Sequence, residues 1–247
     1  MMARDALSPL SDTLQNLSLE ESLLVLDKKY GKKAVFTTSF GLEDQAITHA
    51  IFSQKLSIRV LTLDTGRLFR ETYELHHNTL AKYGQTIETF FPDPKALEPF
   101  LNEFGPDSFY HSIENRKQCC HIRKVLPLDR ALKGAEIWIT GIRKDQSGNR
   151  SEMPKVELDT QKQILKFHPI LDWSWEDTWS YIKTNQIPYN PLHEQGYPSI
   201  GCAPCTRAIL PTEPFRAGRW WWENEDTKEC GLHWVDGKLT PKKSQMT

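Results

Sequence analysis

The sequence predicts an α/β protein with a mostly parallel sheet, flanked by helices and followed by an irregular C-terminal tail. Short runs rich in β-branched and aromatic residues alternate with amphipathic segments of about ten or more residues, an alternation typical of βαβ units. From about Asn190 onward this pattern ends, and proline, glycine and tryptophan accumulate. We therefore predict a domain over residues 1–212 and a tail over residues 213–247.

Hydrophobic spacing predicts the individual elements. Apolar residues at helical spacing predict helices over residues 19–29, 41–54, 69–84, 94–105, 119–134 and 174–186. Gly84 is expected to close the third helix, and Ser174 to cap the last one. Continuous apolar runs predict strands over residues 32–40, 58–66, 85–92, 135–141 and 162–171, the last of them at an edge of the sheet.

The composition is that of an ordinary globular chain and restricts its partners. Of the 247 residues, 38% are hydrophobic and 26% charged, and the net charge is −1. Such a chain has no overall attraction for nucleic acid or for an anionic membrane, so an anion site must be a local group of basic residues. We find no apolar run near the roughly 20 residues that span a bilayer and no signal peptide, which predicts a cytoplasmic protein with reduced thiols.

The turns after the first two strands are candidate ligand sites, because ligands of parallel sheets bind beyond the carboxyl ends of the strands. The first turn places one glycine before a helix, which suits one phosphate but lacks the glycines of a triphosphate loop. A simple capped turn is the alternative interpretation of each. The candidate ligand-binding residues are Ser39, Phe40, Gly41, Leu42, Glu43 and Asp44 in the first turn, and Leu63, Asp64, Thr65 and Gly66 in the second.

Basic residues cluster at two further places. Gly141 follows a later strand and allows close approach, and Arg143 and Arg150 in the next loop can present guanidinium groups to an anion. A solvated basic loop is the alternative for this group. Arg216 and Arg219 stand three residues apart, next to three consecutive tryptophans, and can grip one oxyanion.

Four of the five cysteines form two close pairs, Cys119 with Cys120 and Cys202 with Cys205. Four thiolates suit either a zinc ion or a [4Fe–4S] cluster. Neighbouring sulfurs reach two corners of a cube more easily than two positions around one ion, so the vicinal pair favours the cluster. Lys124, one helical turn beyond that pair, would offset the negative charge of a cluster and hold an anionic substrate nearby.

The fifth cysteine, Cys230, stands apart from the other four in the stretch KECGLH. Lys228 precedes it and His233 follows three residues later. A thiol near a cation can be a thiolate at neutral pH and therefore a nucleophile. A tail cysteine without a role is equally compatible with these residues.

Together, these motifs resemble a known family. The stretches SFGLED, LDTGRLFRETY, CCHIRKVLPL, WITGIRKDQS, GCAPCTR, GRWWWE and KECGLH are similar to those of the assimilatory adenylyl-sulfate reductases, relatives of the 3′-phosphoadenylyl-sulfate reductases. The resemblance runs through nearly the whole chain. It implies a Rossmann-like, adenine-nucleotide α-hydrolase-like fold that binds nucleotide within residues 1–212. It also implies a [4Fe–4S] cluster on Cys119, Cys120, Cys202 and Cys205.

The resemblance also implies a reaction. Adenosine 5′-phosphosulfate would bind beside the first two turns, its phosphosulfate neutralised by Lys124 and the arginines. Cys230 would attack the sulfur atom and expel AMP, with His233 orienting the phosphosulfate, and reduced thioredoxin or glutaredoxin would then release sulfite. Such an enzyme serves sulfate assimilation and cysteine biosynthesis in the cytoplasm, and either a monomer or a homo-oligomer is compatible with the sequence.

Three alternatives stay open. Some cluster-containing members of the family accept the 3′-phosphorylated substrate as well. A nucleotide-activating sulfur-transfer enzyme of the related pyrophosphatase group is the second, although SFGLED lacks the serine–glycine–glycine–x–aspartate loop of that group. A zinc module that binds nucleic acid or a protein partner is the third, and the near-neutral charge gives it little support.

Overall fold

The computed structural model of the chain describes residues 2–146, 150 and 152–224. Its helices are α1 (Met2–Leu14), α2 (Leu19–Tyr30), α3 (Leu42–Ser53), α4 (Arg70–Tyr83), α5 (Pro94–Phe104), α6 (Ile113–Cys120), α7 (Leu126–Ala131) and α8 (Trp175–Thr184). Its strands are β1 (Ala34–Thr38), β2 (Arg59–Leu63), β3 (Glu88–Phe90), β4 (Ile137–Ile139), β5 (Val156–Asp159) and β6 (Ile164–Phe167). Within these residues, no helix combines the length and apolar character needed to cross a membrane.

The strands form one sheet in the order β3-β2-β1-β4-β6-β5. β1 is parallel to β2 and to β4, β3 is parallel to β2, and β6 is parallel to β4, whereas β5 runs antiparallel to β6. From β1 the chain builds outward through β2 and β3, and then in the other direction through β4 and β6. The order therefore reverses between β1 and β4, and the crevice at the carboxyl ends of these strands is where such sheets bind ligands.

Alternate residues of each strand serve two hydrophobic cores, because successive side chains of a strand point to opposite faces. Phe36 and Ile139 lie in the larger core, together with buried residues of α1, α2 and α3. Val35 and Trp138 lie in the smaller core, which α7 covers with Leu128. The crevice between β1 and β4 thus has a packed layer on either side.

The predicted α/β fold with a mostly parallel sheet is confirmed, but four elements differ from the prediction. Residues 162–171 are not an edge strand, since β6 lies between β4 and β5. The true edge is β5, whose sequence VELD is too short and polar to stand out as an apolar run. α1 was not predicted either, although it buries Leu10 and Leu14 in the larger core.

The helix predicted over residues 119–134 is interrupted. α6 ends at Cys120, a π-helical turn spans His121–Val125, and α7 begins with Pro127 in its first turn. Proline has no N–H for the bond to the fourth preceding carbonyl, so the regular helical pattern cannot pass through it. Such π turns often mark functional sites. This one directly follows the vicinal cysteines and contains Lys124.

We predict that Phe36→Ala lowers the free energy of unfolding by about 3–5 kcal/mol, because it removes a fully buried ring from the larger core. Phe91→Ala is the matched control, since Phe91 is 54% exposed and surface changes stay within roughly 0.5 kcal/mol. Urea unfolding of both variants measures the difference. Equal losses in the two variants would contradict the assignment of the core.

Candidate active site

A cavity of about 230 Å³ opens at the carboxyl ends of β1, β2 and β4. It brings together most of the ligand-binding residues predicted from the sequence, which come from five separate stretches of chain. The predicted residues that line it are Ser39, Gly41, Glu43, Asp44, Leu63, Thr65, Lys124, Gly141, Arg150, Arg216 and Arg219.

Asp44 organises the first turn, at the start of α3. Its Oδ2 accepts hydrogen bonds from the backbone N–H of Ser39 at 2.6 Å and from the Ser39 hydroxyl at 2.7 Å. Burial raises the pKa of Asp44 to about 7, although the two hydrogen bonds from Ser39 act in the opposite direction. Gly141 approaches the same carboxylate from the end of β4, and a Cβ at this position would overlap Asp44 Oδ1.

Four predicted ligand-binding residues of the first two turns lie outside the cavity lining, and each has a structural role. Phe40 is 2% exposed in the larger core, where its ring lies 4.8 Å from that of His76. Leu42 is buried in a separate cluster with residues of α8. Asp64 accepts the N–H of Gly66 at 2.7 Å and so closes the second turn, in which Gly66 has a φ of +70°.

Arg143 is also absent from the lining. Its guanidinium is fully buried, with Nε donating to Glu43 Oε1 at 2.8 Å and Nη1 pairing with Asp145. The ring of Phe215 lies 5.6 Å from its Cζ. A cation held by two carboxylates has little left for a ligand, so the structure makes Arg143 a support for Glu43, which does line the cavity.

The remaining arginines do face the cavity. Arg150 donates to Gln146, another lining residue. Arg219 donates to the Ser199 hydroxyl and to the carbonyl of Ile200, both at 3.3 Å. A Cβ at Gly201 would overlap the Arg219 guanidinium, so the absence of a side chain there creates the space for this arginine.

The four paired cysteines meet beside this cavity. Cys120, Cys202 and Cys205 are buried together with Phe109 and Trp220, and Cys119 packs against them. They are free thiols. We call these four residues the cysteine cluster. α6 supplies its first pair, and a turn held by a 2.9 Å hydrogen bond from the N–H of Cys205 to the carbonyl of Cys202 supplies the second.

Basic side chains surround the cysteine cluster, and they are Arg67, Arg116, Arg123 and Lys124. Burial and the neighbouring Cys202 raise the pKa of Cys205 to about 12, and burial also raises the pKa of Cys119. As bare thiols, Cys119 and Cys205 therefore stay protonated. A bound metal takes cysteines as thiolates, and the basic side chains around the cysteine cluster would stabilise that negative charge.

The cysteine cluster and the cavity share a wall, because Lys124 and Cys202 line both. The second turn joins them as well: the Thr65 hydroxyl lies 3.3 Å from Cys202 Sγ, and Arg123 Nη1 donates to the Thr65 carbonyl at 2.6 Å. A single layer of side chains therefore separates a ligand in the cavity from the cysteine cluster.

The four paired thiols are the donor set that an iron–sulfur group would use. Over residues 2–146, 150 and 152–224, no group of three or more His, Cys, Asp or Glu side chains that could hold a metal ion is formed. A [4Fe–4S] group takes one thiolate at each of four corners and carries further sulfurs that accept hydrogen bonds. Trp220 Nε1 lines the same space, is buried and has no partner in the described part of the chain, so it can donate to such a sulfur.

The segment over residues 216–223 folds across the cysteine cluster. Arg116 makes two hydrogen bonds to Glu223, at 2.8 and 2.7 Å, and both side chains are buried. The N–H of Trp220 donates to the carbonyl of Cys205 at 3.1 Å. The predicted nucleophile Cys230 and its neighbour His233 lie outside the described residues.

His193 lines the cavity and was not singled out from the sequence. Its Nδ1 lies 2.8 Å from the carbonyl oxygen of Tyr197, which only accepts, so Nδ1 carries a proton. Burial lowers the pKa of His193, although Glu43 opposes the shift, and a neutral ring leaves Nε2 as an acceptor. His193 lies in the stretch PYNPLHEQGYPSI, in which no residue spacing indicates a site. Four other lining residues were also missed because no local pattern marks them, and they are Trp138, Thr140, Gln146 and Phe215.

Comparison with known proteins decides the family. The profile of the phosphoadenosine phosphosulfate reductase domain matches residues 33–208, which covers both main turns, β4 and all four paired cysteines. The chain belongs to this family. The resemblance predicted from the motifs is thereby confirmed.

Similar proteins support the membership of the phosphoadenosine phosphosulfate reductase family. A protein of Agrobacterium fabrum named adenosine 5′-phosphosulfate reductase is 50% identical over 211 residues, 85% of this chain and 81% of the relative. One of the same name from Allochromatium vinosum is 51% identical over 199 residues, 81% and 78% of the two chains. The crystal structure of a phosphoadenylyl-sulfate reductase from Candida auris, a phosphate complex, has a TM-score of 0.69 and 30% identity, over 82% of this chain and 96% of that one. The predicted adenine-nucleotide α-hydrolase-like fold is confirmed.

The raised pKa of Asp44 predicts a pH dependence of stability. The folded protein holds this proton up to about pH 7, whereas an unfolded chain releases it near about pH 4. The free energy of unfolding therefore falls as pH rises through this window, by up to about 1.4 kcal/mol per pH unit. Asp44→Asn removes the titration and should flatten the slope, as measured by urea unfolding at several pH values.

Asp172→Asn is the matched control for this experiment, because it neutralises a carboxylate with a side chain that is 65% exposed. It should keep the wild-type slope. An Asp44→Asn slope equal to those of wild type and control would show that Asp44 does not carry the proton.

Proposed function

We propose that this protein reduces adenosine 5′-phosphosulfate to sulfite and AMP, as an oxidoreductase acting on a sulfur group in sulfate assimilation and cysteine biosynthesis. The two relatives that are about half identical to it carry the name adenosine 5′-phosphosulfate reductase. The observation that carries the proposal is the wall that the basic cavity shares with the cysteine cluster, at Lys124 and Cys202.

The cavity has the charges that a phosphosulfate needs. Four basic side chains line it, and they are Lys124, Arg150, Arg216 and Arg219. Guanidinium groups form strong charge-assisted hydrogen bonds to the anionic oxygens of a phosphate or sulfate group. Gly41, the N-cap of α3, lies in the same lining, and the N-terminus of a helix favours an anion. The adenosine part then lies against the first two turns, at Ser39–Asp44 and Leu63–Gly66.

Two acidic residues in the cavity do not oppose this binding. Glu43 is paired with the buried guanidinium of Arg143, which also pairs with Asp145, and four basic side chains line the same cavity. Asp44 has a pKa of about 7 because of burial, so it is largely protonated below neutral pH. The local charge facing an anionic ligand therefore stays positive although the whole chain has a net charge of −1.

Cys230 is the proposed nucleophile. Its thiolate attacks the sulfur of the phosphosulfate, a bond forms between the two sulfurs, and AMP leaves with the electrons of the broken S–O bond. A thiolate of reduced thioredoxin or glutaredoxin then attacks Cys230 Sγ and expels sulfite, and the second thiol of the donor resolves the mixed disulfide. Both electrons come from this donor. His233 orients the phosphosulfate.

Cys230 lies a short stretch of chain beyond the segment that packs on the cysteine cluster. Asn224 follows Glu223, which is bound to Arg116 beside the cysteine cluster. Cys230 lies six positions beyond Asn224, and a stretch of this length spans at most about 20 Å. We therefore keep the proposed division of the chain. Residues 1–212 form the domain that binds the nucleotide, and residues 213–247 form the tail that supplies the nucleophile.

Cys119, Cys120, Cys202 and Cys205 are the proposed ligands of a [4Fe–4S] cluster. When bound, this group supplies negative charge beside Lys124 and a cross-link between α6 and the turn at Cys202. Lys124 then has an anion on either side, which fixes its ammonium group at the shared wall. The proposed reaction takes place in the cytoplasm, where thiols are kept reduced.

We predict that the wild-type protein, given adenosine 5′-phosphosulfate and reduced thioredoxin, releases sulfite and that Cys230→Ser abolishes this release. Without a thiol donor, the wild-type chain should gain the mass of one SO₃ group from the substrate and Cys230→Ser should not. Mass spectrometry and a sulfite assay measure both effects. Parallel runs with the 3′-phosphorylated substrate give the substrate preference.

The iron content of Cys230→Ser is the control, because this residue is outside the proposed ligand set. It should equal that of wild type, so that a loss of turnover cannot come from a lost cofactor. Sulfite release by Cys230→Ser at the wild-type rate would remove this cysteine from the mechanism.

A further inference from the structure

A line of polar side chains runs from the cavity into the sheet behind it. Thr140 follows β4 and lines the cavity, and its Oγ1 lies 2.7 Å from Nδ1 of His168. His168 follows β6 and is completely buried. On its other side, Nε2 lies 3.4 Å from Oε1 of Glu157, on the antiparallel strand β5. The proposed reaction uses none of the three.

Glu157 is ionised and therefore accepts only. Burial alone would raise the pKa of Glu157, but contact with His168 and the charge of Lys166 outweigh it and lower that pKa overall. Lys166 is itself buried, with Nζ 3.0 Å from Asp159 and 3.8 Å from Glu157. At 3.4 Å, Nε2 of His168 makes no hydrogen bond to a described residue, but the negative charge of Glu157 favours the tautomer whose proton is on this nitrogen.

His168 has only one proton to place. Burial lowers the pKa of His168, and the positive charges of Lys166 and Arg150 add to this effect against the attraction of Glu157. A neutral imidazole has one N–H, and the partner of one nitrogen decides the state of the other. With the proton on Nε2, Nδ1 is an acceptor, so the Thr140 hydroxyl donates to it.

The hydroxyl of Thr140 consequently faces the cavity as an acceptor. Its single proton points to His168, and its oxygen offers lone pairs to whatever occupies the cavity. The backbone holds the residue in place, since the N–H of Thr140 donates to the carbonyl of Phe167 at 3.0 Å. A ligand group that meets this oxygen must be a donor, which an ionised phosphosulfate is not.

The neighbouring walls indicate which donor it is. Trp138, on the same face of β4, lines the cavity with Leu63 and Leu128. These apolar surfaces suit a flat aromatic base, whereas the basic residues of the cavity suit the phosphosulfate. The donor that adenine carries on its edge is the exocyclic amine.

We propose that Thr140 accepts a hydrogen bond from the exocyclic amine of adenine, and that His168 and Glu157 are positioning residues that fix the direction of the Thr140 hydroxyl. The inference rests on the proposed function in one respect, namely that the ligand is an adenine nucleotide. It explains how the site selects adenine over hypoxanthine, which has a carbonyl oxygen where adenine has the amine. The Thr140 oxygen and the carbonyl oxygen of hypoxanthine would then face each other as two acceptors without a proton between them, which disfavours binding of hypoxanthine.

The test compares AMP with inosine monophosphate, which differ at this position of the base and at the neighbouring N1, where only hypoxanthine carries a hydrogen. Tryptophan fluorescence reports binding, since Trp138 lines the cavity. Wild type should bind AMP at least about tenfold more tightly, as expected for one unpaired buried acceptor. Thr140→Val, of nearly equal shape, should bring the ratio of the two dissociation constants close to one, and Thr140→Ser should keep it.

His168→Leu distinguishes positioning from simple structural support. It leaves the Thr140 hydroxyl in place but free to rotate, so it can donate to the carbonyl of hypoxanthine. We expect the affinity for inosine monophosphate to rise while that for AMP falls, a change that a loosened fold does not produce. Should His168→Leu fail to fold, the Thr140→Val and Thr140→Ser pair decides the proposal.

Two results would overturn the inference. One is a ratio in Thr140→Val equal to that of wild type. The other is a loss of affinity that comes from the ribose. In that case Thr140→Val would weaken the binding of AMP and of 3′-deoxy-AMP by different factors, and the preference for adenine over hypoxanthine would stay unchanged. A wild-type protein that binds no AMP would contradict the proposed function itself, so the two failures are distinguishable.

Discussion

Burial of positive charge at the cysteine cluster is the constraint on which the rest of the structure depends. Arg116 and Arg123 are buried beside the thiols, and a buried cation is stable only where hydrogen bonds and opposite charge satisfy it. Arg116 is paired with Glu223. Arg123 Nη1 donates to the carbonyl of Thr65, whereas Arg123 Nε has no hydrogen-bond partner among the described residues. These contacts tie the helix that carries the vicinal cysteines to the second turn of the cavity and to the segment over residues 216–223, in the first part of the tail.

The sheet supplies the other half of the site. Because the strand order reverses between β1 and β4, the turns after these strands diverge and leave a crevice between them. The carboxylate of Asp44 and the bare backbone of Gly141 meet across that crevice. The interrupted helix then brings Lys124 to its rim, so a nucleotide site formed by the sheet and a thiol site formed by helix and loop share one wall.

The sequence predicted most of what depends on local pattern and less of what depends on long-range packing. Hydrophobic spacing located β1, β2 and the helix α3 between them, and the motifs located the cysteine pairs and the basic residues. It did not find β5, because an edge strand needs few apolar residues, or the burial of Arg143, which depends on Glu43 from a distant helix. His193 and Thr140 reach the cavity only through the fold, so no spacing in the chain marks them.

The central claim is that the four paired cysteines and the cations around them hold an iron–sulfur cluster at the wall of a nucleotide site. The metal content of protein purified without oxygen tests it most directly, for wild type, for Cys202→Ser and for Leu210→Ala, a change at an exposed side chain. The account predicts about four iron and four acid-labile sulfide per chain in wild type and Leu210→Ala, and loss of both in Cys202→Ser. One zinc per chain without sulfide, or full iron in Cys202→Ser, would contradict it.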